Sequence, residues 1–228
     1  MATIATNMQA VRDRIARAAQ AAGRRSGDIV LVAVSKTFPV EHIVQAHAAG
    51  QRVFGENFAQ EAVEKITKLA DLPLEWHFLG PVQSNKTGPI AQHFQWVHSI
   101  EREKIAQRLN AARPAGLPPL NVLIQVNVSG EAAKSGIGPG DEEKLAAAIA
   151  RLPRLRLRGL MAIPEPTPDA TLRRQRFALL RELKEKLAAR GHALDTLSMG
   201  MSDDLEAAIA EGATMVRVGT AIFGSRKR

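Results

Sequence analysis

The chain has 228 residues, of which 45% are hydrophobic and 24% are charged, and it contains neither cysteine nor tyrosine. These proportions are typical of a soluble globular protein and exclude a disordered chain, collagen and a coiled coil. The lack of cysteine excludes disulfides, thiolate metal sites and cysteine nucleophiles.

The charge pattern argues against a membrane or a nucleic acid as partner. No apolar run approaches the ~20 residues of a membrane-spanning helix, and the N-terminus carries charges where a signal peptide would be apolar, so we expect a cytoplasmic protein. The 31 Lys and Arg against 23 Asp and Glu give a net charge of +8, which favours anionic partners. Because the excess is scattered over helix faces, it indicates a solvated surface rather than a nucleic-acid groove, which stays the minority interpretation.

The first predicted element is an N-terminal helix at about residues 3–23. Its apolar residues recur at intervals of three and four, which places them on one face. They are Ile4, Met8, Val11, Ile15 and Ala19.

A regular alternation of β-branched runs and helical stretches follows this helix. Eight strand candidates occur at residues 28–36, 52–57, 75–80, 95–100, 121–129, 155–164, 194–200 and 214–224. Short connections between such units imply parallel pairing, and eight units can close a (β/α)8 barrel. We therefore predict a single domain over residues 1–228, with the barrel at about 28–224, and a doubly wound sheet as the alternative.

The active sites of such barrels lie at the carboxyl ends of the strands. Strand alternation puts Lys36 on the face of Val30, Val32 and Val34, and it puts Arg217 on the face of Met215. If that face lines the barrel interior, the two cations lie near one another, because the first and last strands are neighbours.

Lys36 has two interpretations. A solvated head beyond a buried stem is usual for an isolated lysine. A nearby guanidinium and apolar walls disfavour the ammonium form, however, and a neutral lysine can attack a carbonyl and form a Schiff base. The second interpretation is favoured by the context.

A phosphate site is predicted at the last two strands, where barrels often bind phosphate through backbone N–H groups. Glycines allow close backbone approach and hydroxyls add donors; the predicted residues are Ser198, Gly200, Gly219 and Thr220. Ser202 is interpreted as a helix cap, although both roles are possible together. Asp203 and Asp204 are expected to turn away from the phosphate.

Several segments resemble the pyridoxal 5′-phosphate homeostasis proteins (the YggS/PROSC family). They are VAVSKTFP, FGEN, WHFLGPVQSNK, NVSGEAAKSGI and LSMGMSDDLEAAIAEGATMVRVGTAIFG. The resemblance runs from the N-terminal helix to Gly224. It implies a single barrel like the N-terminal domain of alanine racemase, of fold type III, with pyridoxal 5′-phosphate (PLP) as cofactor.

The resemblance also implies roles for individual residues. Lys36 would hold PLP as an internal aldimine, and Arg217 would face the pyridine nitrogen. Asn57 and His77 match motif positions at the rim of the site, and Met199 and Met201 would pack against the ring. The implied phosphate ligands are Ser198, Gly200, Gly219 and Thr220.

The sequence favours a carrier of PLP over a catalyst. Racemases of this fold use a lysine and a tyrosine on opposite faces of the cofactor, and this chain has no tyrosine. An arginine at the ring nitrogen weakens the ring as an electron sink. A slow racemase or transaminase is the alternative, and a Schiff-base aldolase would need an acid or base such as Glu56 or His77.

The partners expected for a carrier are PLP itself, PLP-dependent apoenzymes and free amino acids that exchange weakly. Lys134 and Lys86 are interpreted as solvated loop lysines, although Lys134 could receive PLP in transit. No histidine has a spacing to acids that indicates a metal site.

Overall fold

The computed structural model describes residues 3–131 and 135–225 and contains a closed barrel of eight parallel strands that pair in chain order. The strands are β1 (Val30–Val34), β2 (Val53–Glu56), β3 (Glu75–Phe78), β4 (Trp96–Ile100), β5 (Leu120–Gln125), β6 (Leu155–Met161), β7 (Thr196–Ser198) and β8 (Met215–Val218). The helices are α1 (Ile4–Ala21), α2 (Val40–Ala48), α3 (Ala59–Lys68), α4 (Thr87–His93), α5 (Glu103–Ala112), α6 (Glu142–Ile149), α7 (Ala170–Ala189), α8 (Leu205–Ala210) and α9 (Thr220–Phe223).

The barrel closes through the pairing of its first and last strands. Val30 of β1 lies opposite Met215 of β8, and Ala33 lies opposite Val218. This pairing confirms the predicted (β/α)8 barrel and shows that the doubly wound alternative is wrong.

Helix α1 precedes the barrel and covers one side of it. Its first turn is capped by Thr3, whose hydroxyl accepts a hydrogen bond from the Thr6 N–H at 3.1 Å. The buried face of α1 is the one predicted from the apolar spacing. Asn7 donates to the carbonyl of Ile222 and Arg14 pairs with Glu206, so α1 is tied to α9 and α8.

The last predicted strand is too long. Strand β8 ends at Val218, and residues 220–223 form α9 instead of continuing the strand. The N–H groups of Ile222 and Phe223 both donate to the carbonyl of Gly219, so the chain turns helical at that glycine. The apolar pair Ile222 and Phe223 is therefore buried on a helix face rather than in the sheet.

Two apolar cores hold the fold together. The larger one lies between the barrel and its surrounding helices, and the smaller one fills the barrel interior with Val32, Leu79, Trp96, Leu123, Met161 and Met215. Gly55 makes room in the interior, because a Cβ atom there would lie 2.6 Å from Leu79 Cδ1 and 3.0 Å from Val32 Cγ1. The barrel interior is therefore a packed core and not a channel.

Within the described ranges, no helix combines the length and the apolar character that crossing a bilayer requires.

Candidate functional site

A cavity of about 210 Å³ opens at the carboxyl end of the barrel. Its wall is built by residues near the carboxyl ends of β1 and β8 and in the segments that follow β1, β2, β3, β6, β7 and β8, as is usual for barrels of this kind. The apolar part of the wall consists of Val34, Phe38, Leu79, Ile163 and Met201. The polar part consists of Lys36, Asn57, Ser202, Asp203, Arg217, Gly219 and Thr220.

Lys36 lies in this wall, two residues after the end of β1. The residue after it, Thr37, has a backbone φ of 66°. That conformation is costly for a β-branched residue and persists only where the surroundings impose it.

A buried ionic network imposes the conformation of the Lys36 loop. The Thr37 N–H donates to Glu61 Oε1 at 2.6 Å, and the Ser35 hydroxyl donates to Glu56 Oε1 at 2.7 Å. Lys65 Nζ joins these groups, with contacts of 2.8 Å to the Ser35 carbonyl, 2.8 Å to Glu56 and 2.6 Å to Glu61. The residues on both sides of Lys36 are thus fixed by side chains of β2 and α3.

Glu56 belongs to this network and not to the cavity. Its carboxylate contacts Lys65 of α3, outside the barrel, while the preceding Gly55 faces the interior. Burial raises the pKa of Glu56, and the Lys65 ammonium opposes the shift. The expectation that Glu56 could act as an acid or base beside Lys36 is therefore wrong.

Arg217 lies in the cavity wall with its side chain almost wholly buried. Its guanidinium donates to the Ser198 hydroxyl at 2.6 Å and to the Ala162 carbonyl at 2.8 Å. Burial lowers the pKa of Arg217 to about 10, so the group is a cation at neutral pH. Lys36 and Arg217 share one cavity, which brings the two cations together as the strand alternation predicts.

Three residues predicted at the cofactor, Ser198, Met199 and Gly200, are not among the residues that line the cavity. The hydroxyl of Ser198 is buried in the barrel interior between Arg217 and His98. Met199 packs in the core between barrel and helices, so its predicted contact with the ring is wrong. Gly200 faces α8, because a Cβ atom there would lie 2.6 Å from Ala208 Cβ.

The physical reason is the turn that follows β7. The strand ends at Ser198, and Gly200 has a φ of +94°, a conformation that side chains rarely tolerate. This turn brings Met201 and Ser202 to the cavity instead of the residues before it.

Ser202 and Asp203 are the site residues that the sequence interpretation assigned elsewhere. Ser202 does not cap α8, which begins after Asp204; its hydroxyl accepts from the Ala221 N–H at 3.4 Å and faces the cavity with Thr220. Asp203 lines the cavity, contrary to the expectation that it turns away. The sequence contains a signal for Ser202, because a hydroxyl group shortly after the glycine turn at Gly200 is a suitable phosphate donor.

The other predicted residues divide between the wall and the interior. Asn57 lines the cavity, and Gly80 lets its loop approach, because a Cβ atom at Gly80 would lie 2.2 Å from the Asn57 carbonyl oxygen. His77 is completely buried and bonded to His98 and Glu75, so its predicted rim position is wrong. Leu79, which directly follows β3, lies in the wall instead.

Of the two loop lysines, the structure describes only Lys86. Lys134 lies outside the described residues. Lys86 ends a short helical turn at Ser84–Lys86 and is not part of the cavity wall.

The chain is similar in sequence to one known protein family over almost its whole length. The family model of the alanine racemase N-terminal domain matches residues 6–227. A pyridoxal phosphate homeostasis protein of Pseudomonas aeruginosa is 64% identical over 226 residues, which cover 99% of this chain and 97% of that protein. The protein of the same name from Escherichia coli K12 is 55% identical over 232 residues, with 99% and 98% covered.

Solved structures agree with these relatives. PipY of Synechococcus elongatus PCC7942, solved with PLP bound, is 35% identical and superposes with a TM-score of 0.84 over 97% of this chain and 100% of that one. An alanine racemase from Corynebacterium glutamicum superposes with a TM-score of 0.69 at 18% identity, over 96% of this chain and 62% of that one. The latter likeness concerns the fold alone.

The buried histidines predict a pH dependence of stability. Burial lowers the pKa of His98 well below its usual value, with the charges of His77 and Arg217 adding to the effect; burial also lowers the pKa of His77, opposed by Glu75. Below pH ~6.5 the unfolded chain binds protons that the folded protein excludes, so the free energy of unfolding decreases there and is fully retained above it.

Urea unfolding at several pH values between 5 and 8 measures this dependence. The His98→Gln variant should show a flatter dependence below pH ~6.5 than the wild type. The control is His192→Gln, outside the barrel interior, which should keep the wild-type slope. An unchanged slope in His98→Gln would contradict the prediction.

Proposed function

Because the chain belongs to the pyridoxal phosphate homeostasis proteins, within the alanine racemase N-terminal domain family, we propose that it binds PLP in the cavity at the carboxyl end of the barrel. Its role is that of a carrier or buffer in PLP homeostasis. The observation that carries this proposal is the sharing of one cavity by Lys36 and Arg217, beside the hydroxyl groups of Ser202 and Thr220.

The cavity suits PLP in charge and in shape. The hydroxyl groups of Ser202 and Thr220 can donate to a phosphate ester, and the Arg217 cation can donate to the ring nitrogen. The apolar side chains of Val34, Leu79 and Met201 offer surfaces for an aromatic ring. Gly219 allows the end of β8 to lie close to β1, because a Cβ atom there would lie 3.1 Å from the Val34 carbonyl oxygen. Asp203 is the carboxylate in the wall, and it is solvent-exposed.

When bound, PLP supplies an aldehyde that condenses with a primary amine and releases one water. Lys36 is the residue of this chain that would provide the amine, since its loop is fixed at the cavity by Ser35 and Thr37. The Arg217 guanidinium in the same wall would disfavour the charged form of this amine, because like charges repel.

The phosphate would be held at the junction of β8 and α9. Thr220 is the first residue of α9, so its N–H has no acceptor within the helix. The hydroxyls of Thr220 and Ser202 add two donors, and Ser202 is anchored by the Ala221 N–H. In this proposal Ser202 therefore replaces Ser198, the serine predicted from the sequence, as a phosphate ligand.

The titratable groups of the wall support a carrier rather than a racemase or transaminase. Within the described residues these groups are Lys36, Asp203 and Arg217, while Glu56 and His77 lie behind the wall. Arg217 is cationic at neutral pH. A cation held against the ring nitrogen would keep it unprotonated and disfavour carbanion chemistry. We infer that free amino acids and PLP-dependent apoenzymes are the partners with which the cofactor exchanges.

The first prediction concerns Lys36. Borohydride treatment of the PLP-loaded protein should fix the cofactor covalently, and peptide mapping should find the label on Lys36. The Lys36→Ala variant should lose the trappable cofactor, because the wall then lacks its primary amine.

The control for this experiment is Lys68→Ala, at the exposed end of α3, which should trap as much cofactor as the wild type. A label found chiefly on Lys86 or Lys134 would refute the assignment.

The second prediction concerns the phosphate. Ser202→Ala and Thr220→Val should each weaken PLP binding by about 1.5 to 3 kcal/mol, because each removes a donor to a charged group. Fluorescence titration with PLP measures the affinity, and Thr67→Val on the outer surface of α3 is the matched control. Wild-type affinity in both variants would place the phosphate elsewhere.

The third prediction separates the carrier from a catalyst. The PLP-loaded protein should incorporate negligible deuterium at Cα of L-alanine in heavy water, measured by mass spectrometry, while it transfers PLP to an apoenzyme. Exchange at about 10 per second, the median rate of enzymes, would instead identify a racemase or transaminase.

A further inference from the structure

A continuous chain of hydrogen bonds runs through the barrel interior and ends at Arg217. Arg217 Nη1 lies 2.6 Å from the Ser198 hydroxyl, which lies 2.9 Å from His98 Nδ1. His98 Nε2 lies 2.8 Å from His77 Nδ1, and His77 Nε2 lies 2.8 Å from Glu75 Oε1. Four contacts thus connect the cavity to Glu75.

The two ends of the chain lie at opposite ends of the barrel. Arg217 lines the cavity, whereas Glu75 is the first residue of β3 and its side chain is 45% exposed. The groups between them are wholly buried. Among apolar interior residues such as Trp96 and Leu123, a polar chain of this kind is costly unless every member is paired.

The ends also determine the direction of every hydrogen bond. A guanidinium can only donate, and an ionised carboxylate can only accept. A neutral His77 therefore carries its hydrogen on Nε2, which leaves its Nδ1 to accept from His98 Nε2–H. His98 Nδ1 then accepts the Ser198 hydroxyl hydrogen, and the Ser198 oxygen accepts from Arg217.

We propose that Glu75, His77, His98 and Ser198 form one polarised hydrogen-bond chain that positions the Arg217 guanidinium at the cavity. Glu75 is then a remote positioning residue for the site, although it lies at the far end of the barrel. The functional part of this inference rests on the proposed binding of PLP.

The environment of Arg217 supports this role. In the described part of the chain no carboxylate lies within ion-pair distance of Arg217, so its hydrogen bonds go to neutral acceptors, the Ser198 hydroxyl and the Ala162 carbonyl. The Asp204 carboxylate acts from further away and partly opposes the lowering of the Arg217 pKa by burial. A hydroxyl whose own hydrogen is donated onward is a better acceptor, because hydrogen bonds in a chain polarise one another. Burial lowers the pKa of both histidines, which keeps them neutral as the chain requires.

The Glu75 carboxylate is itself held in place. The pKa of Glu75 is lowered by its hydrogen bond to His77, and the Trp96 indole and the Arg158 charge contribute. The guanidinium carbon Cζ of Arg158 also lies over the Trp96 ring, 4.9 Å from the ring centre. The end of the chain is therefore an ionised and oriented acceptor.

Nitrogen-15 NMR of the imidazole rings tests the direction of the chain in the protein without PLP. At neutral pH both His77 and His98 should be neutral and carry hydrogen on Nε2. A hydrogen on Nδ1 of either ring, or a charged His77, would overturn the proposal. This measurement needs no cofactor, so its result stands even if the protein binds no PLP.

A double-mutant cycle on PLP affinity tests the positioning role. Ser198→Ala should weaken PLP binding about tenfold, because Arg217 loses an acceptor. Glu75→Leu should weaken binding in the same direction, and the double variant should be no weaker than Ser198→Ala alone. If the losses of PLP affinity of the two single variants multiply in the double variant, or if Glu75→Leu does not change the affinity, the positioning role is overturned.

Two further variants serve as rescue and control. Glu75→Gln keeps an acceptor oxygen for His77 and should restore most of the affinity lost in Glu75→Leu. Glu64→Leu removes an exposed carboxylate on the outer face of α3 and should leave PLP affinity unchanged. Equal losses in Glu75→Gln and Glu75→Leu would show that the acceptor oxygen is not what matters.

Discussion

The parallel pairing of β1 with β8 is the contact on which the site depends. It closes the barrel and sets the end of β1, with the Lys36 loop, beside the end of β8, with Arg217, Gly219 and Thr220. Residues that are more than 180 positions apart in sequence thereby form one wall. Because strands in a closed barrel have fixed neighbours, small changes in register would separate the lysine from the groups around it.

The second constraint is the cost of burying charge in this wall and behind it. Arg217 inside the barrel and Lys65 outside it are both buried cations, and each is surrounded by acceptors in a different way. Lys65 contacts two carboxylates directly. Arg217 contacts a hydroxyl and a carbonyl, which orients its donors without neutralising the guanidinium in the cavity wall.

The sequence predicts the fold and the cations well, because both follow from period-two alternation and from the position of residues at strand ends. It fails after β7, where the predicted strand runs to Gly200, whereas the observed strand ends at Ser198 and the chain turns at Gly200. It also fails for His77, since a histidine on an interior face can be buried among other polar groups as readily as it can face a ligand. The Lys65 network was missed because a lysine on an amphipathic helix normally faces solvent.

The positive φ of Thr37 has a consequence for how Lys36 meets its ligand. The network of Glu56, Glu61 and Lys65 forms when the protein folds, and it holds the backbone on both sides of the lysine in one conformation. The conformational entropy of that loop is then lost during folding rather than on ligand encounter. A preorganised amine of this kind would let a small aldehyde enter and leave without remodelling the loop, which suits the proposed role of a carrier that releases PLP.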